Sequence, residues 1–178
     1  MLKTEELKLV SEWDKTFPQS EKVEHKKVAF VNRYGITLAA DLYKPKNKSG
    51  KYPAIAVSGP FGAVKEQCSG LYAQTMAEKG YLTIAFDPSF TGESGGNPRL
   101  MASPDINTED FMAAVDFLSV REDVDPDKIG IIGICGWGGM ALNAAALDTR
   151  IKVTVASTMY DMTRVNANGY FDSEDSEE

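Results

Sequence analysis

The sequence predicts an α/β protein: a mainly parallel sheet with an antiparallel N-terminal edge and helices on both faces. Three observations predict it. Runs of strand length alternate with segments of helical period along the chain. Several of the strand runs, such as Tyr52–Ser58 and Ile129–Ile134, are continuously apolar, as strands covered on both faces are. The first two strand runs are joined at Arg33-Tyr34-Gly35, a hairpin-like start that makes one edge antiparallel.

The elements follow in order. Thr4 to Phe17 reads as a short amphipathic helix, with Leu7, Val10 and Trp13 on a turn-by-turn spacing. Lys27–Asn32 and Thr37–Tyr43 are the hairpin strands, and Lys44 to Lys51 is a polar loop. Tyr52–Ser58 is a buried strand stopped by Gly59-Pro60. A helix over Gln67–Lys79 closes at Gly80, followed by the strand Tyr81–Phe86 and the loop Ser89–Pro98. Asn107–Ser119 is a helix with Thr108 near its cap and Phe111, Val115 and Leu118 on one face. A turn at Asp123–Lys128 leads to the strand Ile129–Ile134, the helix Gly138–Leu147 and the strand Ile151–Ser157. Residues 1–22 are then a helical extension, 23–161 the core, and 162–178 the start of a lid or a disordered acidic tail.

A chain of 178 residues suits one domain with a real core. Its net charge of −7, with no basic stripe, excludes nucleic acid and anionic membrane surfaces as partners. No apolar run approaches the ~20 residues of a membrane span. Met1 to Val10 lacks a signal-peptide core, so the expected location is cytoplasmic. In that compartment Cys68 and Cys135 are expected as free thiols.

The chemistry concentrates at Gly133-Ile134-Cys135-Gly136-Trp137-Gly138-Gly139, where a strand passes through a tight turn straight into a helix. A cysteine at that apex is lifted from the strand beside the N–H groups of a helix N-terminus. It reads as a nucleophile, and otherwise as a small buried hydrophobe at a strand end. The strict G-x-S-x-G spelling fails by one position, because Trp137 stands where a small residue is expected. An apex at position 137 would restore the spacing and present a tryptophan, which has no nucleophilic chemistry. After Tyr52–Ser58, an oxyanion donor would be the N–H of Phe61 or Gly62, Pro60 having none, partnered by that of Gly136. The bland reading of Gly59–Gly62 is an ordinary turn. Ser94 is a turn residue. Gly136-x-Gly138-x-x-Ala141 also spells a dinucleotide fingerprint, with Asp161 as a late acidic partner.

Taken together, Gly59-Pro60-Phe61-Gly62, Phe86-Asp87, Gly92-Glu93-Ser94, Val124 to Gly130 and the Cys135 turn resemble the α/β-hydrolases. The likeness is to the group near dienelactone hydrolase and the X-prolyl-peptidase/cocaine-esterase-like acyl hydrolases. Dienelactone hydrolase resembles this chain in using cysteine at the apex. The second group resembles it in a longer elbow, G-x-S-Y-x-G, which maps onto Gly133, Cys135 and Gly138. The resemblance runs from Val23 to Asp161 and implies a fold that continues for two further strands, followed by the acid and the histidine. Within the chain, Asp161 is the best acid candidate and Asp87 the next. His25, the single histidine, is expected as an exposed polar residue.

The sequence therefore implies a hydrolase of ester, thioester or lactone-type acyl bonds, acting through Cys135 with the N–H groups of Gly136 and Phe61 as oxyanion donors. It would take a small-molecule acyl substrate, with no metal or other cofactor, and be inactive as this isolated chain. Ile151–Ser157 would be a sheet edge open to a homodimer partner or a complementing C-terminal fragment. A non-catalytic binding or scaffold protein of the same fold, and a dinucleotide-binding oxidoreductase, are the alternatives.

Overall fold

The computed structural model describes residues 5–46 and 50–173. Thr4 and the tail beyond residue 173 lie outside the described residues. The strands are β1 (Val23–Val31), β2 (Thr37–Pro45), β3 (Tyr52–Ser58), β4 (Leu82–Phe86), β5 (Val124–Ile134) and β6 (Ile151–Ser157). The helices are α1 (Cys68–Glu78), α2 (Pro104–Ser119), α3 (Gly136–Leu147) and α4 (Met162–Asn168), with a short 3-10 turn at Tyr170–Asp172. One six-stranded sheet runs in the order β1-β2-β4-β3-β5-β6. β1 and β2 pair antiparallel and β2 meets β4 antiparallel, while β4, β3, β5 and β6 are parallel.

The two-residue period of the strands divides the core into two layers. Ala54, Ala56, Leu82, Ile84, Phe86, Ile129 and Ile131 face α2 and α3, where Phe111, Val115, Leu118, Met140 and Ala141 cover them. Their neighbours Ile55, Val57, Ala85, Ile132 and Ile134 face α1 and pack on Ala73 and Ala77. Because β3 and β5 are covered on both sides, neither can alternate apolar with polar, and both read as unbroken apolar runs. β6 is the exception: Val153 and Val155 are exposed on it, and it forms the outer edge of the sheet.

Three local expectations need correction. The N-terminal segment is not a helix over residues 5–17. Its backbone N–H groups are taken by distant acceptors instead: Glu5 donates to Thr37 Oγ1 (2.9 Å), Val10 to Glu93 Oε1 (2.6 Å) and Thr16 to the Glu66 carbonyl (2.9 Å). Phe17 is buried, and Trp13 Nε1 donates to its carbonyl at 2.9 Å. Tertiary contacts thus override a weak helical period. α2 begins earlier than expected. Its cap is Ser103, whose hydroxyl accepts from Ile106 N, while Asn107 Oδ1 returns the bond to Ser103 N at 2.8 Å. Thr108 lies buried inside that helix. The turn Asp123–Lys128 is a bulge within β5, since Tyr52 pairs with Val124 but Ala54 already pairs with Ile129.

Candidate active site

Cys135 stands between β5 and α3 with φ 60° and ψ −130°. A non-glycine residue holds such a conformation only where its surroundings fix it. Here the Cys135 N–H donates to the Ser157 carbonyl of β6 (2.9 Å), and its own carbonyl accepts from Gly138 N (2.9 Å). The helix therefore starts at Gly136, two residues earlier than the sequence suggests. The thiol is free and partly exposed.

Three glycines of the turn, at 133, 136 and 138, have a steric reason, while a Cβ on Gly139 would meet nothing. A Cβ on Gly133 would collide with the Trp137 carbonyl, so only glycine lets α3 fold back over β5. One on Gly136 would collide with the Phe61 ring, and one on Gly59 with the Ile134 carbonyl. Trp137 points away from the apex into the core, 3% exposed, with Phe61 edge-on to it at 4.3 Å between centroids. The residue at the apex is thus Cys135, and the register with Trp137 there does not form. With the Phe61 ring over Gly136 and Met159 against Gly138, side chains fill the approach that a dinucleotide pyrophosphate would need.

The N–H groups of Gly136 and Trp137 open α3 and have no helical acceptor. Among the described residues none accepts from the Phe61 N–H. Gly62 follows at φ 72°, exposed on the same loop. Cys68 begins α1, with Sγ 3.9 Å from the Gly59 carbonyl, and burial pushes its thiol up.

The remaining candidates are placed differently from expectation. His25 is not exposed: its Nε2 is 2.7 Å from Asp41 Oδ1, and its ring lies 5.1 Å from both Trp13 and Tyr43. It sits on β1, with β2, β4 and β3 between it and β5. Asp87 is fully buried and bonded to Lys65, Oδ2 to Nζ 2.8 Å and Oδ1 to the backbone N 2.8 Å. Ser94 is structural as expected, donating to the Asp87 carbonyl and accepting from Ala39 N. Asp161 follows β6 and begins α4, where Oδ1 accepts from Arg164 N at 3.0 Å, a capping role. Among the described residues no group of His, Cys, Asp and Glu is arranged to hold a metal. Nor is any described helix long and apolar enough to cross a membrane.

One residue was missed. Tyr160 lies beside the elbow, and hydrogen bonding to Tyr170 and then to Cys135 holds its phenol above the ordinary range. No motif marks a tyrosine three residues beyond a strand, and only the sheet order brings it to the elbow.

Residues 34–177 match the family model of X-Pro dipeptidyl-peptidase (S15 family). The chain belongs to the X-Pro dipeptidyl-peptidase (S15) family. An uncharacterized protein of Pseudomonas aeruginosa, PA2218, is 71% identical to this S15 chain over 169 residues, 94% of this chain and 46% of that one. The crystal structure of the P. aeruginosa protein superposes with a TM-score of 0.93 at 70% identity, covering 96% of this chain and 53% of that one. Thiohydrolase aneE of Aspergillus aculeatus is 31% identical over 77% of this chain and 42% of its own length. A putative dienelactone hydrolase of Klebsiella pneumoniae, at 21% identity and a TM-score of 0.64 over 77% of this chain and 60% of that one, shows the shared α/β-hydrolase fold. The chain spans about half the length of the curated relatives it matches.

Proposed function

We propose that this S15-family chain carries the nucleophile half of an acyl hydrolase for thioester and ester bonds, with Cys135 as nucleophile. The observation that carries the reading is the Cys135 backbone itself. A partly exposed free thiol is held at φ 60° where β5 turns into α3, beside N–H groups that have no helical acceptor. The thiohydrolase relative supports a thioester substrate.

In the proposed reaction the Cys135 thiolate attacks the acyl carbonyl, and a C–S bond forms. The N–H groups of Gly136 and Phe61 hold the oxyanion, and the leaving thiolate or alkoxide departs and takes up a proton. Water then cleaves the acyl-cysteine. That second half needs a general base. His25 is engaged with Asp41 across the sheet, so in this reading the base comes from outside the described residues. Asp161 is the acid candidate within the chain. We propose the β6 edge as the place where the remaining half of the relatives' fold pairs, over exposed Val153 and Val155.

This reading expects the isolated chain to be acylated once and not to turn over. Incubation with an activated acyl thioester, followed by peptide mapping, should give about one acyl group per chain on Cys135. Release of thiol should stop after that first equivalent. Acylation confined to Cys68 in the folded protein would overturn the assignment.

A further inference from the structure

The loop that carries the Phe61 N–H is fixed at both ends. At its start Gly59, at φ 102°, leaves no room for a Cβ between the Ile134 carbonyl and Trp137, so the chain leaves β3 pressed against the elbow. Phe61 follows with its ring edge-on to Trp137, and Ala63 N donates to the Pro60 carbonyl at 3.2 Å. At its far end the loop reaches Lys65, whose side chain is fully buried. A lysine is almost never fully buried unless it is paired.

One carboxylate grips Lys65 by backbone and side chain together. Asp87, directly after β4, places Oδ1 2.8 Å from Lys65 N and Oδ2 2.8 Å from Lys65 Nζ. Oδ2 also accepts from Glu93 N at 2.9 Å, and a Cβ on Gly92 would collide with the same carboxylate. The backbone of Asp87 is itself fastened: its N–H donates to the Ala39 carbonyl at 3.0 Å, and its carbonyl accepts from Ser94 Oγ at 2.7 Å. Glu93 Oε2 at 2.7 Å and Glu66 Oε1 at 2.6 Å complete the surroundings of the ammonium. The N-terminal segment closes over them, Val10 N donating to Glu93 Oε1 and Thr16 N to the Glu66 carbonyl.

A buried ion pair is a weak source of stability, since apolar residues of similar volume often do as well. Its geometric effect is specific. Oxyanion donors act only when they stand in place before charge develops, and the short stretch between Gly59 and Lys65 has little freedom once both ends are held. We infer that Asp87 is a positioning residue for the oxyanion site: by holding Lys65 through N and Nζ, it sets where the Phe61 N–H stands relative to that of Gly136. The inference rests on the reading of Cys135 as nucleophile and the Phe61 N–H as oxyanion donor. It gives the buried carboxylate a part other than the acid of a catalytic triad.

Two reactions at Cys135 separate positioning from folding. Acylation by an activated thioester builds charge on the carbonyl oxygen and needs the oxyanion donors. Alkylation by iodoacetamide displaces iodide from carbon and makes no oxyanion. Both rates are read by mass spectrometry on the Cys135 peptide. In Asp87→Ala acylation should fall about 10- to 100-fold, less than the ~10²–10³ of deleting a donor outright, while alkylation keeps its wild-type rate. Asp87→Asn keeps an acceptor for Lys65 N but turns its amide N–H groups toward the ammonium, so its acylation rate should lie in between. It strands fewer donors and carries the test should Asp87→Ala not fold. An unchanged acylation rate in either folded variant, or equal falls in both reactions, would overturn the inference. Wild type that is alkylated at Cys135 but never acylated there would sink the hydrolase reading and this inference with it. Wild type that is acylated, with variants acylated as fast, sinks the inference alone.

Discussion

Lys65→Met isolates the buried ion pair beside the site. The Lys65 side chain is fully buried, with Nζ 2.8 Å from Asp87 Oδ2, 2.7 Å from Glu93 Oε2 and 2.6 Å from Glu66 Oε1. Asp87 is fully buried too. Methionine fills much of the same volume, so the main loss is electrostatic. Removing one member of a buried pair costs about 3–5 kcal/mol, because the other charge is left uncompensated. Asp87 keeps two backbone donors, from Lys65 N at 2.8 Å and Glu93 N at 2.9 Å, which places the expected cost near the lower end, about 3 kcal/mol. Urea unfolding followed by tryptophan fluorescence measures it, with the m-value unchanged.

The pH dependence follows from the same pair. Burial pushes the Asp87 carboxyl up, and the Lys65 ammonium pulls it down. Without Lys65 the folded pKa rises further above the unfolded one. The stability this group contributes is then present below the unfolded pKa and lost as pH rises. The deficit of the variant should therefore be larger near pH 8 than near pH 5. A loss under about 1 kcal/mol, or a deficit that grows on acidification, would refute the account of Asp87 as a buried charge held by Lys65. Cys135 labelling in the folded variant should match wild type, because the pair supports the fold and does not touch the thiol.

Other perturbations read other parts of the structure. Gly133→Ala drives a Cβ into the Trp137 carbonyl and should cost about 2–3 kcal/mol while slowing Cys135 alkylation. A thermal melt matching wild type would contradict that packing. Asp110 accepts from Asn32 Nδ2 (2.8 Å), Ser89 N (2.8 Å), Ser89 Oγ (2.7 Å) and Asn107 Nδ2 (3.0 Å). Asp110→Ala strands these donors and should lose about 2–4 kcal/mol in denaturant unfolding, and a loss under ~1 kcal/mol would mean the network is replaceable. Burial opposes ionisation of Asp14, but Lys15 and Lys27 more than offset it and hold the carboxyl down to about 2. A lowered pKa gives stability that is present above the unfolded value and lost as pH falls, so Asp14→Asn should flatten part of the acid loss seen by melting temperature. Curves parallel to wild type would show that the pairing contributes nothing. Val155→Lys on the open edge should change stability by no more than about 0.5 kcal/mol yet prevent a relative's unmatched half from restoring thioester turnover; restored turnover in the variant would place the partner elsewhere.

The site was partly legible from sequence because its geometry is local. The Cys135 turn needs glycine at 133, 136 and 138 for clashes arising within a few residues or against the adjoining loops, and these glycines are visible as spacing. Tyr160 was not visible. Its place beside the elbow depends on β6 lying beside β5, and no spacing along the chain encodes that neighbour. The Lys- and Glu-rich segment around His25 reads as surface. Those charges turn inward in pairs, Lys15 on Asp41 and Lys27 on Glu93, and take the histidine with them.

By itself the sequence determined β3 and β6 to the residue and the two-faced burial of the central sheet, since hydrophobic period and chain-breaking residues act over a few positions. It also determined the strand–turn–helix at Cys135. Tertiary structure alone decided that residues 5–17 lie without a helix, that Asp87 is bound in a buried ion pair with Lys65, and that His25 is hydrogen-bonded to Asp41. Each of these depends on partners far away in sequence, whose hydrogen bonds and charges outweigh local preference once the sheet has assembled.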